Sequence, residues 1–136
     1  MNAILHAATF AVVLLFGLFL MALGVASLFA PAKAKLFLLG FAASALTHYL
    51  EMALRLVVGS SILYHAPRLM YPVAFTIFGW MMVGTSAVLL ILPWKWHRRF
   101  AQRVVPPALR FLPFVGLVSI ALGIVLLVFL LGSLNR

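Results

Sequence analysis

One carboxylate stands in the whole chain of 136 residues, and it stands among apolar ones. Glu51 follows His48 by three residues and precedes Arg55 by four, so in a helix all three share a face. Glu four residues before Arg is the favourable order for an intrahelical ion pair. An imidazole one turn away can exchange a hydrogen bond with the same carboxylate. Two chemistries fit. Imidazole titrates near neutral pH, so the triad could relay a proton or an ion. It could equally be a polar clasp that fixes helix register, with a lipid-headgroup or partner contact as a third use. The clasp is favoured because a relay needs a path. Few other polar groups lie within the apolar runs, among them Thr9, Thr47, Thr76, Thr85, Ser86 and Ser119, with Ser27 near an end.

Other chemistry is excluded by composition. The chain has no cysteine, which removes disulfides, thiol catalysis, cysteine-ligated zinc and iron–sulfur clusters. It has no Asp and a single Glu, which removes Ser-His-Asp triads, carboxylate pairs and multi-carboxylate metal sites. His6, His48, His65 and His97 are expected at different sides and depths, unable to converge as ligand pairs. No metal, haem or other cofactor is expected, and no enzymatic activity.

The elements that position Glu51 follow from hydropathy. The chain is 67% hydrophobic and 8% charged, whereas about half apolar is usual for a soluble domain. The reading is an all-α membrane protein, one integral domain over 1–136. A crossing takes about 20 apolar residues. Four runs qualify: Ala7 to Ala30, Leu36 to Tyr64, Leu69 to Trp94 and Phe111 to Leu134. They are too long, and too little alternating, for membrane strands. Pro31, Pro67, Pro93 and the Pro106-Pro107 pair mark the joints, where a helix ends or restarts. The first run is read as uncleaved: no Lys or Arg precedes it and it exceeds a signal peptide's apolar core.

As one helix, the second run would be about 43 Å long. Gly40, Ser44, His48, Glu51, Arg55 and Gly59 would line one face, with Glu51 near mid-membrane and turned to the bundle interior. In the alternative, Leu36 to Leu46 lies along the interface and the triad rises to headgroup level. The straight helix is favoured, since that segment has no polar face to show to water.

Small residues mark packing seams. Gly17 and Gly24, Gly79 and Ser86, and Gly116 and Gly123 are each seven apart, with Ser119 inside the last pair. Gly59 continues the face that carries Glu51, and Ala22, Ala26 and Ala30 add a further small row. Such residues let helix backbones approach closely. Packing within the chain is favoured over a dimer seam.

The net charge of +9 is not read as a nucleic-acid signal. The cations flank apolar runs, as topology signals do. One side holds Lys33, Lys35, Lys95, Arg98, Arg99, Arg103 and Arg110; the other holds both termini, Arg68 and Arg136. The positive-inside rule puts the first side in the cytoplasm and both termini in the periplasm of a bacterial inner membrane. Trp96, Phe100 and Val104 share a helical face away from Lys95, Arg98, Arg99 and Arg103, with Trp94 beside them. That pattern suits a helix lying in an anionic leaflet.

The halves echo each other. Phe16-Gly17, Leu28, Pro31 and Lys33 recur at one offset as Phe78-Gly79, Leu90, Pro93 and Lys95, and Ala53-Leu54-Arg55 returns as Ala108-Leu109-Arg110. Four transmembrane helices then form two tandem two-helix repeats, about 7–66 and 69–134, in parallel orientation. On these motifs the chain resembles small uncharacterised bacterial inner-membrane proteins, some single two-helix units and others tandem pairs. The resemblance implies a fold and no activity, and Arg110 departs from it by preceding its span. The expected role is an accessory or scaffold subunit that contacts anionic lipid and another membrane protein or a second copy. The alternative is a small proton-coupled transporter or channel using Glu51.

Overall fold

The computed structural model describes residues 2–41 and 43–135. Arg136, counted above on the terminal side, lies outside them. The described chain is helical, with no strand. Six helices follow in order: α1 (Asn2–Phe29), α2 (Pro31–Gly40), α3 (Ala45–His65), α4 (Pro72–Ile91), α5 (Trp94–Ala108) and α6 (Leu112–Gly132). Short 3-10 turns cover Ala66–Arg68, Leu109–Phe111 and Ser133–Asn135. Pro31, Pro72 and Pro113 sit in the first turns of their helices, where a missing N–H costs nothing. Pro106 and Pro107 lie inside the last turn of α5 rather than at a joint beyond it. An orphan carbonyl near a helix end tolerates them there.

Three helices are long and apolar enough to cross a membrane, and a fourth crossing arises if α2 and α3 are one broken span. That pair is bent by 96°, which corrects the expectation of one straight helix from Leu36 to Tyr64. The cause is local. Ser44 is extended and accepts a hydrogen bond from the Thr47 N–H at 3.2 Å, while the Ser44 N–H returns one to Thr47 Oγ1. This reciprocal cap starts a new helix. Gly40 and Ser44 therefore leave the face that carries His48, Glu51 and Arg55.

The helices pair antiparallel through their glycines. A Cβ at Gly24 would lie 2.6 Å from the Gly116 carbonyl oxygen, and one at Gly123 would lie 2.9 Å from that of Gly17. On the other side of the molecule, Gly59 and Gly79 each bring a would-be Cβ within 3.2 Å of the other's carbonyl. So α1 packs on α6 and α3 on α4. Ser86, Ser119 and Ser27 are buried along the same faces, Ser86 and Ser27 returning their hydroxyls to carbonyls one turn back. Val13 of α1 meets Ile62 of α3 in a core that also takes Ala66, Leu69, Phe75, Leu126 and Leu130. Asn2, Tyr64, Arg68 and Leu134 line one open hollow, so the two chain ends and the α3–α4 connection share one end of the bundle. α2 and α5 lie at the opposite end with the seven clustered cations.

Gly24→Ala should overpack the α1–α6 crossing and cost about 1–3 kcal/mol. Gly84 has open space where its Cβ would go, so Gly84→Ala should be neutral or gain about 0.5–1 kcal/mol from backbone entropy. Thermal unfolding of the two variants reads the difference. Equal melting points would contradict a backbone contact at Gly24.

Candidate functional site

Arg55 sits in the middle of α3, and side chains on a helix lean toward its N-terminus. Its guanidinium therefore meets Glu51, one turn earlier, with Nη1 donating to Oε1 at 3.3 Å. Nη2 reaches across to Thr85 Oγ1 of α4 at 3.4 Å. Thr85 in turn donates to the Met81 carbonyl. The pair is partly exposed, with side-chain accessibilities of 34% for Arg55 and 21% for Glu51. Glu51 lies about 9 Å from the start of α3 at 1.5 Å per residue. It is near one end of the bundle, not at its middle, because the break has removed α2 from the helix.

His48 does not join Glu51. Its ring is 1% exposed and faces α5, where its Nδ1 lies 2.7 Å from His97 Nδ1. The rings cross edge to face at 4.7 Å between centroids, and Tyr49 stands on the other side of His48 at 5.1 Å. Two facing Nδ1 atoms at this distance share one hydrogen, so one ring donates and the other accepts. His48 Nε2 is buried without a partner, as is Arg55 Nε. A bare ring nitrogen is the cheaper orphan, which favours His48 as the Nδ1–H donor and His97 as the acceptor. Burial holds the His97 imidazole below its ordinary 6.5, with His48 adding to the effect; Glu51 opposes it and Arg55 reinforces it. Glu51 and His97 also line a cavity of about 300 Å³, otherwise walled by apolar residues including Phe41, Val105 and Leu112.

A second polar group occupies the far end of α3. His65 Nε2 meets Thr9 Oγ1 at 3.0 Å, and His6 packs edge-on against His65 at 4.9 Å. Arg68 covers the Tyr64 ring and donates to the Tyr64 carbonyl. The histidines therefore converge as two pairs, His48 with His97 and His6 with His65. This corrects the expectation that they stand apart. Helix spacing alone hid these pairs, since each joins residues about fifty or more apart in the chain. Among the described residues, no three His or acidic side chains gather to hold a metal ion.

The basic segment is helix α5. Lys95, Trp96, Arg98, Arg99, Phe100 and Arg103 are exposed, Trp94 is half-buried with Arg98 over its ring, and of the described α5 side chains only Ala101 is buried. Lys33 and Lys35 project from α2 and Arg110 from the turn before α6.

Arg55→Leu should destabilise the protein more than Glu51→Gln, because the first strands an anion while the second leaves an amide that still accepts from Arg55. Breaking a fully buried pair costs about 3–5 kcal/mol; partial exposure of both groups should bring the Arg55→Leu loss below that. Unfolding midpoints of the two variants decide the order, and equal or reversed losses would count against the clasp.

The chain matches no protein-family model, no curated protein and no solved structure, so its functional reading rests on this geometry.

Proposed function

We propose that this is an integral membrane protein of four crossings that acts by association, as an accessory or scaffold subunit, and not as an enzyme or a carrier. The observation that carries the reading is the separation of its two polar groups. From Arg55 of the first group to His65 of the second is about 15 Å along α3. Between them the α1–α3 contact is made by Val13 and Ile62, both 0% exposed, and the intervening Ser61 hydroxyl is spent on the Val57 carbonyl. A conducted proton or ion would have to cross that apolar stretch. Membrane embedding draws support from the outer surface, where Leu15, Leu54, Ile77 and Leu117 are each more than half exposed on four different helices. Left in water, such a surface would drive association.

In the same reading the end that carries α2 and α5 faces the cytoplasm of a bacterial inner membrane, and both termini face the periplasm. α5 lies on the anionic leaflet by its aromatic and basic faces. The two tandem repeats draw support from the pairing. Gly17 and Gly79 hold matching places in α1 and α4, and each crosses a glycine of a second-span helix, Gly123 in α6 and Gly59 in α3. The resemblance to small bacterial inner-membrane proteins belongs to this proposal. A second reading, a small proton-coupled transporter or channel using Glu51, draws on the cavity that Glu51 and His97 line.

Three measurements test the proposal. A C-terminal reporter that works only in the cytoplasm should be silent. Purification in mild detergent should retain a companion protein or a second copy; a clean monomer would count against an accessory role. Proteoliposomes should pass no more protons under a pH gradient than empty vesicles, whereas flux abolished by Glu51→Gln would establish the transporter reading.

A further inference from the structure

α5 is joined to the bundle by very little. Among the described residues, the His97–His48 contact is the one hydrogen bond from an α5 side chain to another helix. Of the described α5 side chains only Ala101 is buried, and the row Trp96, Phe100 and Val104 stays exposed. The single polar tie is made of two imidazoles. Its proton count governs whether it can exist. Two neutral rings make one Nδ1–H···Nδ1 bond. One added proton leaves that bond in place and charge-assisted, since a protonated ring donates to a neutral one. A second added proton puts hydrogen on both Nδ1 atoms, so no acceptor remains and two cations face each other at 2.7 Å.

We propose that the His48–His97 contact is an acid-opened latch: sharing one Nδ1 proton holds α5 against α3, and full protonation of both rings frees α5. The surroundings set the working range. On α3 the charged or titratable neighbours are Glu51, Arg55 and Tyr49; on α5 they are Lys95 and Arg98, both exposed. α4 contributes no titratable group, and Lys33 and Lys35 of α2 and Arg110 before α6 are exposed. His97 is held below 6.5 by burial first and by His48 second. A group whose native value is depressed in this way stabilises the closed form at high pH, and the stability is lost as pH falls through the lowered value. The latch is therefore closed at neutral pH and opens in acid, below the ordinary imidazole value, once both rings are protonated.

The chain has no cysteine, so Leu54→Cys on α3 and Gln102→Cys on α5, both at exposed positions, accept spin labels uniquely. Distances between the labels are measured by electron–electron resonance in phosphatidylcholine nanodiscs, whose headgroups do not change charge from pH 8 to 4.5. The expected result is one narrow distance at pH 8 that lengthens and broadens below pH 6.5. His97→Gln, whose amide can pair with either form of His48, should stay closed throughout. Glu51→Gln removes the anion that favours a protonated His97, so opening should persist but move to lower pH. A wild-type distance unchanged down to pH 4.5 would overturn the latch, as would equal opening in His97→Gln or loss of opening in Glu51→Gln. The inference rests on the membrane reading only for the choice of nanodiscs. A protein that stays soluble without detergent fails that reading, and the same distances measured in buffer still test the latch.

Discussion

Backbone contact at glycine is the constraint on which the other contacts depend. Where Gly24 meets Gly116 and Gly17 meets Gly123, no side chain separates α1 from α6. Gly59 and Gly79 do the same for α3 and α4. In the membrane setting proposed above, apolar surface gives helices little reason to prefer one another over lipid, so close approach and the dispersion contacts it brings supply the preference. A glycine pair also fixes register, since sliding by one turn would drive a side chain into the opposing carbonyl. With register fixed, Arg55 falls opposite Thr85, while Thr9 meets His65 across the separate α1–α3 contact. The polar contacts between long helices are consequences of the glycine spacing as much as causes of the fold.

Charge scarcity shapes the rest of the site. One carboxylate faces ten Lys and Arg residues in this chain, so it can neutralise only one. Arg55 takes it, because an arginine side chain leans back over the preceding turn, where Glu51 lies. The other clustered cations stand at the exposed surface, where water or an anionic surface can balance them. The histidines have no acid left to bond and find hydroxyls and one another instead. A buried imidazole needs a partner for at least one nitrogen, and His97 on α5 is the group that reaches His48.

Much of this was legible in the residues, and the failures have a common cause. Run length and composition located α1, α4 and α6 within a few residues, because long apolar helices carry their signal locally. The Glu51–Arg55 pair was legible for the same reason, being a one-turn contact. The glycines at seven-residue spacing named the faces that meet, though not which helix meets which. The histidine pairs were not legible. His48 and His97 come together only because α3, α4 and α5 return the chain to one end of the bundle, and nothing in either local sequence carries that information. The break after α2 was not legible in hydropathy, because Leu36 to Leu46 has no polar face; its signal lies in the Ser44–Thr47 spacing. A serine with a hydrogen-bonding side chain three residues on is a helix-start signal in its own right.

That break changes the meaning of the one acidic residue. In an unbroken helix Glu51 would sit deep, where insertion scales set about 2.5–3.5 kcal/mol on an unpaired charge and a functional reason would be needed to keep it. The cap at Ser44 instead makes it a second-turn residue near one end of the bundle. Arg55 pairs with it from the next turn, and Thr85 anchors the guanidinium to α4. These contacts give the carboxylate fixed structural partners, which favours a clasp over a proton carrier. The histidine pair, by contrast, is held by one hydrogen bond, and it lies where α5 joins the bundle.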